Sequence, residues 1–301
     1  MVDVLDDRAL PPLFIENDRW ALSRQSEAFR ATRTQLTVLL SGTAAATLTE
    51  HWAGRFWATL AALCYALAGI LGLYTARRRA RAHWQAHRAA AEVVKSLAWQ
   101  YMVHGGPFHT GVVDPDGLFA ERLADRLREL RKVGWEDHGG GTGGLALVRI
   151  AEQITPQMRT VRAKPFEARR DYYVRERVLE QLVWYGKRSA QAHRASSRWS
   201  AATAVLTALA LVTAALRAYG VLGNWDLTGL FSAAAAAGVA WQEVRRHRPL
   251  EYAHALIEQD LDTARLAMGT TVTEDGWADA VADVERLCSP QHTDWLVRFG
   301  S

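Results

Sequence analysis

The chain alternates between long uncharged blocks and arginine-rich stretches. Four blocks carry no charge: Thr34–Thr49, Phe56–Ala76, Trp199–Leu216 and Leu227–Gln242. A helix crossing the hydrocarbon core needs about 20 residues, within a range of roughly 17–25. The second block, of 21 residues, meets that length and the third, of 18, just reaches it. The first and fourth, of 16 each, need neighbours such as Trp52 or Trp225 to reach the interfaces. Each short block is paired with a stronger one across a short connection. The pattern therefore predicts two helical hairpins, with spans at about 34–52, 56–76, 199–216 and 225–242.

The flanks orient both hairpins the same way. Arg24, Arg30 and Arg33 precede the first pair, and Arg77, Arg78, Arg79 and Arg81 follow it, whereas its turn holds only Glu50, His51 and Arg55. Lys187, Arg188, Arg194 and Arg198 precede the second pair and Arg245, Arg246 and Arg248 follow it, with Arg217 and Asp226 at its turn. Cytoplasmic flanks carry the excess of Lys and Arg, and a soluble core helix has no reason to show this asymmetry twice. The expectation is an all-α membrane protein with four spans and both termini cytoplasmic. Arg77, Arg78, Arg79, Arg81, Arg245, Arg246 and Arg248 would anchor it at the inner surface of the bilayer.

Beyond the blocks the periodicity is that of amphipathic helices. Trp84, Ala91, Val94, Leu97 and Ala98 recur at helical spacing after the first hairpin, and Tyr173, Val174, Val178, Leu182 and Tyr185 share a face before the second. The stretch "PLEYAHALIEQDLDTARLAM" repeats the pattern after it, so the chain reads as helix–hairpin–helix twice, a tandem pseudo-repeat. Between the halves, "FAERLADRLRELRKVGW" predicts a short amphipathic helix, and "HGGGTGG" at 138–144 a flexible linker. A further helix is expected to stop at Thr155-Pro156, and a C-terminal one to start at an N-cap-like Thr273. The resulting organisation is a first unit at 1–108, a connector at 109–155 and a second unit at 156–301.

Composition narrows the partners. A mean hydropathy of −0.12 excludes a chain that is membrane throughout. The net charge of +4 is mild and clustered beside the apolar blocks, which favours anionic headgroups over nucleic acid, for which a long basic stripe is expected. Several of the 12 tryptophans sit where apolar gives way to polar, as suits an amphipathic ring at an interface. Cys64 and Cys288 lie in dissimilar contexts and suggest neither a disulfide framework nor a metal cluster. The acidic "MVDVLDDRALPPLF" lacks a cleavable-signal pattern, so internal spans are expected to direct insertion.

Motifs for chemistry are weak. Gly139, Gly141 and Gly144 satisfy G-x-G-x-x-G formally, but no strand context precedes them, and a linker is the better reading. His83 and His87 have a zinc-compatible spacing with no evident third ligand, and are read as interfacial histidines beside headgroups. Glu176 and Glu180 among arginines suggest surface ion pairs. No catalytic constellation, metal site or cofactor motif stands out, so no enzyme activity is expected.

The blocks themselves carry hydroxyls at helical spacing: Thr37 and Ser41, Thr43 and Thr47, Thr203 and Thr207, Thr228 and Ser232. Small residues permit close helix packing, the commoner outcome. Alternatively these hydroxyls line a pore assembled from several copies.

"AEVVKSLAWQYMVHGGPF" (91–108), with Glu92, Lys95, Trp99, Tyr101 and Phe108, resembles the SLATT family of two-transmembrane effectors. "RRDYYVRERVLEQLVWYGKRSAQAH" (169–193), with Tyr173, Arg175, Gln181, Trp184 and Tyr185, resembles another subtype. The resemblance covers two units in tandem, Ser23–Phe108 and about Pro156–Met268. It implies a bacterial inner-membrane effector of nucleotide-linked, antiphage conflict systems: a homo-oligomeric pore that disrupts the membrane when triggered. A nucleotide-signal synthase or sensor would be a separate protein. Glu92, Lys95, Trp99, Tyr101, Trp184 and Tyr185 would then form a cytoplasmic helix interface for assembly or triggering. A non-conducting scaffold in which Trp99, Trp184 and Tyr185 dock a cytoplasmic partner is the alternative.

Overall fold

The computed structural model describes residues 9–52, 54–78, 80–132, 152–270 and 272–289, and only the backbone of 78 and 80–82. Every regular element among them is helical: α1 (Pro12–Leu48), α2 (Gly54–Arg78), α3 (Ala80–Val103), α4 (Pro115–Lys132), α5 (Pro156–Arg162), α6 (Phe166–Tyr173), α7 (Leu179–Ala218), α8 (Leu227–Arg245), α9 (His247–Thr270) and α10 (Glu274–Leu287). A wider π-turn, Val174–Val178, joins α6 to α7 without a break in the helix. The expected Gly-rich linker, with Gly139, Gly141 and Gly144, lies outside the described residues.

The helix boundaries follow local chemistry. Pro12 opens α1 at the position where a missing N–H costs nothing, and no further proline interrupts the run to Leu48. Asp114 caps α4, its carboxylate accepting from Gly117 N at 2.9 Å. Thr155-Pro156 starts a helix; the helix expected to end there falls mostly on residues outside the described ones. Thr155 Oγ1 accepts from Met158 N at 3.2 Å and Pro156 takes the first helical position, which is the N-terminal role that Thr-Pro serves best. Thr273 does precede α10, although its side chain makes no capping bond.

The described residues form two compact units. One takes those up to Arg24, those within Arg81–Ala190 and those from Pro249 onward; the other takes Gln25–Ala80 and Gln191–Arg248. Each unit therefore draws on both halves of the chain, and α1 and α7 contribute to both.

The first unit has a conventional core. Ala91, Val94, Leu97 and Ala98 of α3 are buried, as their spacing predicts, with Val178 and Tyr185 from the second half. Aromatic rings fill the middle: Trp99 packs on Tyr172 and Tyr173, and Trp277 meets Phe166 and Tyr173 edge-on, with centroids 5.6–5.9 Å apart. A second group joins Tyr101, Phe108 and Phe119. His87 corrects the sequence reading. It is buried in this unit, its Nδ1 lies 2.9 Å from Asn17 Oδ1 and its ring stacks on Trp20, so it does not face headgroups.

The second unit is inside-out by comparison. The C-terminal part of α1 lies against α2, where a Cβ on Gly42 would come within 3.0 Å of Cys64 Cβ and the Tyr65 ring. α7 lies against α8, where Thr228 and the buried Thr213 meet at 3.2 Å and Gln242 donates to Thr203 Oγ1 at 3.2 Å. Contacts at both ends join these pairs. His51 stacks on Trp225 with centroids 3.8 Å apart, and Phe29 meets Trp241 edge-on at 6.3 Å. The large residues mostly point away from these contacts: Ile70, Leu73 and Leu211 are 63%, 64% and 72% exposed.

Candidate functional site

Apolar faces that a chain leaves uncovered mark an interaction surface. Two helical runs among the described residues are long and apolar enough to cross a membrane: Gly54–Arg77, and the run Phe166–Ala218 that contains α7. Only 11% and 6% of their most apolar 18-residue stretches are buried. A core helix of a soluble protein would bury most of such a stretch. The first and fourth blocks sit in the same unit beside these two helices, as the C-terminal part of α1 and as α8.

The hydroxyls of this unit bond mainly within their own helix, Thr43 and Thr203 included, and some also meet a neighbouring helix. Most satisfy their own helix: Thr37 Oγ1 donates to Arg33 O at 2.9 Å, Ser41 Oγ to Thr37 O at 3.0 Å, Thr47 Oγ1 to Ala44 O at 2.7 Å and Thr207 Oγ1 to Thr203 O at 2.9 Å. This back-bonding makes a hydroxyl tolerable in an apolar setting. Thr43, Thr203 and Thr228 lie between neighbouring helices, with Tyr65 Oη donating to Thr43 Oγ1 at 3.3 Å. Thr37, Ser41, Thr207 and Ser232 are exposed. Thr213, Gln242 and Tyr65 are the partners in these inter-helix contacts and were not singled out from sequence. Thr213 lies ten residues from Thr203 in an alanine-rich run and shows no pairing until α8 is placed beside it.

The basic ends resolve individually. The Arg245 guanidinium sits 4.4 Å from the Phe29 ring centroid and 5.8 Å from that of Trp241, a cation–π site. Arg246 closes α8 in the left-handed conformation (φ 49°) and is exposed. Arg248 reaches Ser200 Oγ at 3.3 Å, and Arg77 is exposed. Arg79 and the side chains of Arg78 and Arg81 lie outside the described residues.

The six residues expected at a helix interface lie in the first unit, three of them in its interior. Trp99, Tyr101 and Tyr185 are buried, so they hold this fold together and present no docking surface. Glu92 pairs with Arg88 four residues back, and Lys95 Nζ lies over the Phe14 ring at 5.3 Å. Trp184 is half-buried, edge-on to Tyr185 and His254, with Arg188 over its ring at 5.2 Å.

The unit also holds buried ionic chemistry that periodicity missed. Arg177 and Glu285 are each about 1% exposed and pair twice, at 3.0 and 2.8 Å, while Tyr173 Oη donates to the same carboxylate at 2.9 Å. Burial opposes the charge on Arg177, but the Glu285 carboxylate outweighs it and raises its pKa well above the usual value. Burial, then Glu285, raises that of Tyr173. A signal was available: Arg177 lies four residues after Tyr173, and Glu285 four after Val281, so opposite charges occupy two apolar faces. Burial also pushes the Cys288 thiol to about 12, an inert thiol at neutral pH.

Two histidines give the unit a pH dependence. Burial, with Arg162 and then Arg169 nearby, holds His104 at about 4, and burial with Arg188 nearby holds His254 at about 4. The unfolded chain binds these protons near the ordinary 6.5. Stability is therefore complete above about 6.5, falls as the pH drops towards 4, and is not lost further through these groups below that. A melting temperature lower by about 5–10 °C at pH 5 than at pH 7.5 is expected in differential scanning fluorimetry. The double variant His104→Asn, His254→Gln should flatten the profile; an unchanged slope would show that other groups set it.

A helical chain with apolar, outward-facing helices gathered in one unit and a conventionally packed second unit has the make-up of a membrane-associated helical protein. The chain belongs to the SLATT family. The model for SMODS and SLOG-associating 2TM effector domain 3 matches residues 11–170, and that for effector domain 1 matches residues 173–295. It is thus a membrane protein of the effector class, with two such domains in tandem. No curated protein matches the chain, and no solved structure does.

Proposed function

We propose that the chain is a four-span effector that assembles into an oligomeric pore in the bacterial inner membrane and passes ions when a conflict system triggers it. Both termini face the cytoplasm and no catalytic step is involved. The exposure of the second unit's apolar side chains carries this proposal, because only lipid or further copies of the chain would cover that surface without penalty. Residues 34–52 and 225–242 complete the two hairpins. The arginine-flanked ends of both hairpins meet at Phe29, Trp241 and Arg245, and both turn ends meet at His51 and Trp225, which agrees with a common orientation and basic residues inside.

Thr37, Ser41, Thr207 and Ser232 remain on the surface of the protomer, so they are the hydroxyls available to line a lumen between copies. Thr43, Thr203 and Thr228 serve packing. The test is ion flux from liposomes reconstituted with the purified protein. Thr37→Leu, Ser41→Leu and Thr207→Leu together should reduce flux by at least about tenfold while leaving insertion intact, since a polar, hydrated lining is replaced by a dewetting one. Unchanged flux would remove these residues from the lumen. A silent, correctly inserted oligomer that binds a cytoplasmic partner would favour the scaffold, although docking would then have to use Trp184 without Trp99 and Tyr185.

A further inference from the structure

The first unit carries an arginine-rimmed pocket over the π-turn. Its volume is about 370 Å³, within the range of small-ligand sites, and it is lined by Arg170, Asp171, Val174, Arg175, Leu179, Arg265 and Gly269. Val174 and Leu179 add apolar side chains to its lining, and Gly269 leaves it open, because a Cβ built there meets nothing within 4 Å. The three arginines are held by carboxylates through the Nε side of the guanidinium. Arg170 donates Nε and Nη2 to Asp171 at 3.2 Å, Arg265 donates the same pair to Asp262 at 3.1 and 2.9 Å, and Arg175 donates Nε to Glu176 at 2.7 Å. Among the described residues the Nη1 donors of all three make no hydrogen bond, on guanidinium groups already fixed in direction, that of Arg170 also lying over the Phe166 ring at 5.9 Å. A planar fork with one edge anchored and the other free is suited to bidentate recognition of phosphate.

The location adds a second, independent observation. π-turns are uncommon and are frequent at functional sites, and this one contributes Val174 and Arg175 to the pocket. The same turn carries Arg177 to the opposite, buried side, where it meets Glu285. A group binding over the turn therefore acts on the backbone that positions the unit's central ion pair, at the start of the helical run that continues into α7.

We propose that this pocket binds a phosphate-bearing ligand with an apolar portion. The ligand is either a free phosphate compound or a lipid headgroup. Pyrophosphate and ADP, without added metal, would be titrated by calorimetry into the full chain in nanodiscs of neutral phosphatidylcholine, and again with anionic phosphatidylglycerol included. Saturable binding in both membranes identifies a free ligand. Binding in neutral discs that is displaced in anionic discs identifies a headgroup occupying the same site. In either case Arg170→Gln with Arg265→Gln should weaken affinity at least about tenfold, and Gly269→Leu, which fills the pocket without altering charge, should do the same. Arg128→Gln on the exposed face of α4 should leave it unchanged. Binding that survives both pocket variants, or no binding in either membrane, overturns the site. The readout does not depend on ion flux, so a silent pore and an empty pocket are separate outcomes.

Discussion

Glu285→Ala should come close to unfolding the first unit. Removing the carboxylate leaves the Arg177 guanidinium buried and uncompensated and takes away the acceptor of Tyr173 Oη. Breaking a buried pair from one side costs about 3–5 kcal/mol, a large part of the 5–15 kcal/mol typical of a whole domain. Chemical denaturation of the detergent-solubilised protein, followed by tryptophan fluorescence, would report it through Trp99 and Trp277. The apolar double variant Arg177→Met, Glu285→Leu, made in a Tyr173→Phe background so that no buried hydroxyl is left without its acceptor, should recover most of the loss, since it removes both desolvation costs together. If Glu285→Ala shifts the midpoint no more than a surface substitution, the pair is not holding the unit together. If the double variant is as unstable as the single one, packing and not charge accounts for the effect.

The second large effect is expected at Gly105. α3 ends in a Schellman arrangement, with Gly105 N donating to Gln100 O at 2.8 Å and His104 in the left-handed conformation (φ 60°), a place usually given to glycine. Gly105 itself has an ordinary backbone (φ −88°), so an alanine there is not strained by conformation. Its Cβ, however, would lie 2.2 Å from Val281 Cγ1 and 2.6 Å from Val281 Cβ. Val281 is fully buried and cannot swing away, and α10 is also tied at this point by Trp277 Nε1 donating to Val103 O at 2.6 Å. Gly105→Ala must push α10 outward, costing about 3 kcal/mol, at the upper end of the overpacking range. Adding Val281→Ala removes the obstructing branch and should return about half of that. A thermal melt of the single and double variants decides it: equal melting temperatures would mean that the contact is soft.

These two sites differ in how far they could be anticipated. The faces of α3 and α7 were legible because burial of an amphipathic helix follows its period: Ala91, Val94, Leu97 and Ala98 are where 3.6-residue spacing puts them. The apolar blocks were legible too, since length and absence of charge are properties of a segment by itself. His87 was misread for a definite reason. Its neighbour in sequence is a basic, membrane-flanking stretch, whereas its neighbour in space is Asn17, 70 residues away. Thr155-Pro156 was legible as a boundary, and the bond to Met158 N shows that a helix begins there.

The sequence by itself determined the helical class, the separation of apolar from amphipathic segments, the basic flanks and the family, because each depends on composition and period along one stretch of chain. Tertiary structure decided what depends on pairs distant in sequence. It grouped the apolar segments of both halves into one unit and the amphipathic segments into another. It sorted equivalent hydroxyls into exposed Thr37, Ser41 and Thr207 and packed Thr43, Thr203 and Thr228. It buried Arg177 against Glu285, 108 residues apart. Periodicity assigns a residue to a face; only the partner helix decides whether that face meets lipid, water or an opposite charge.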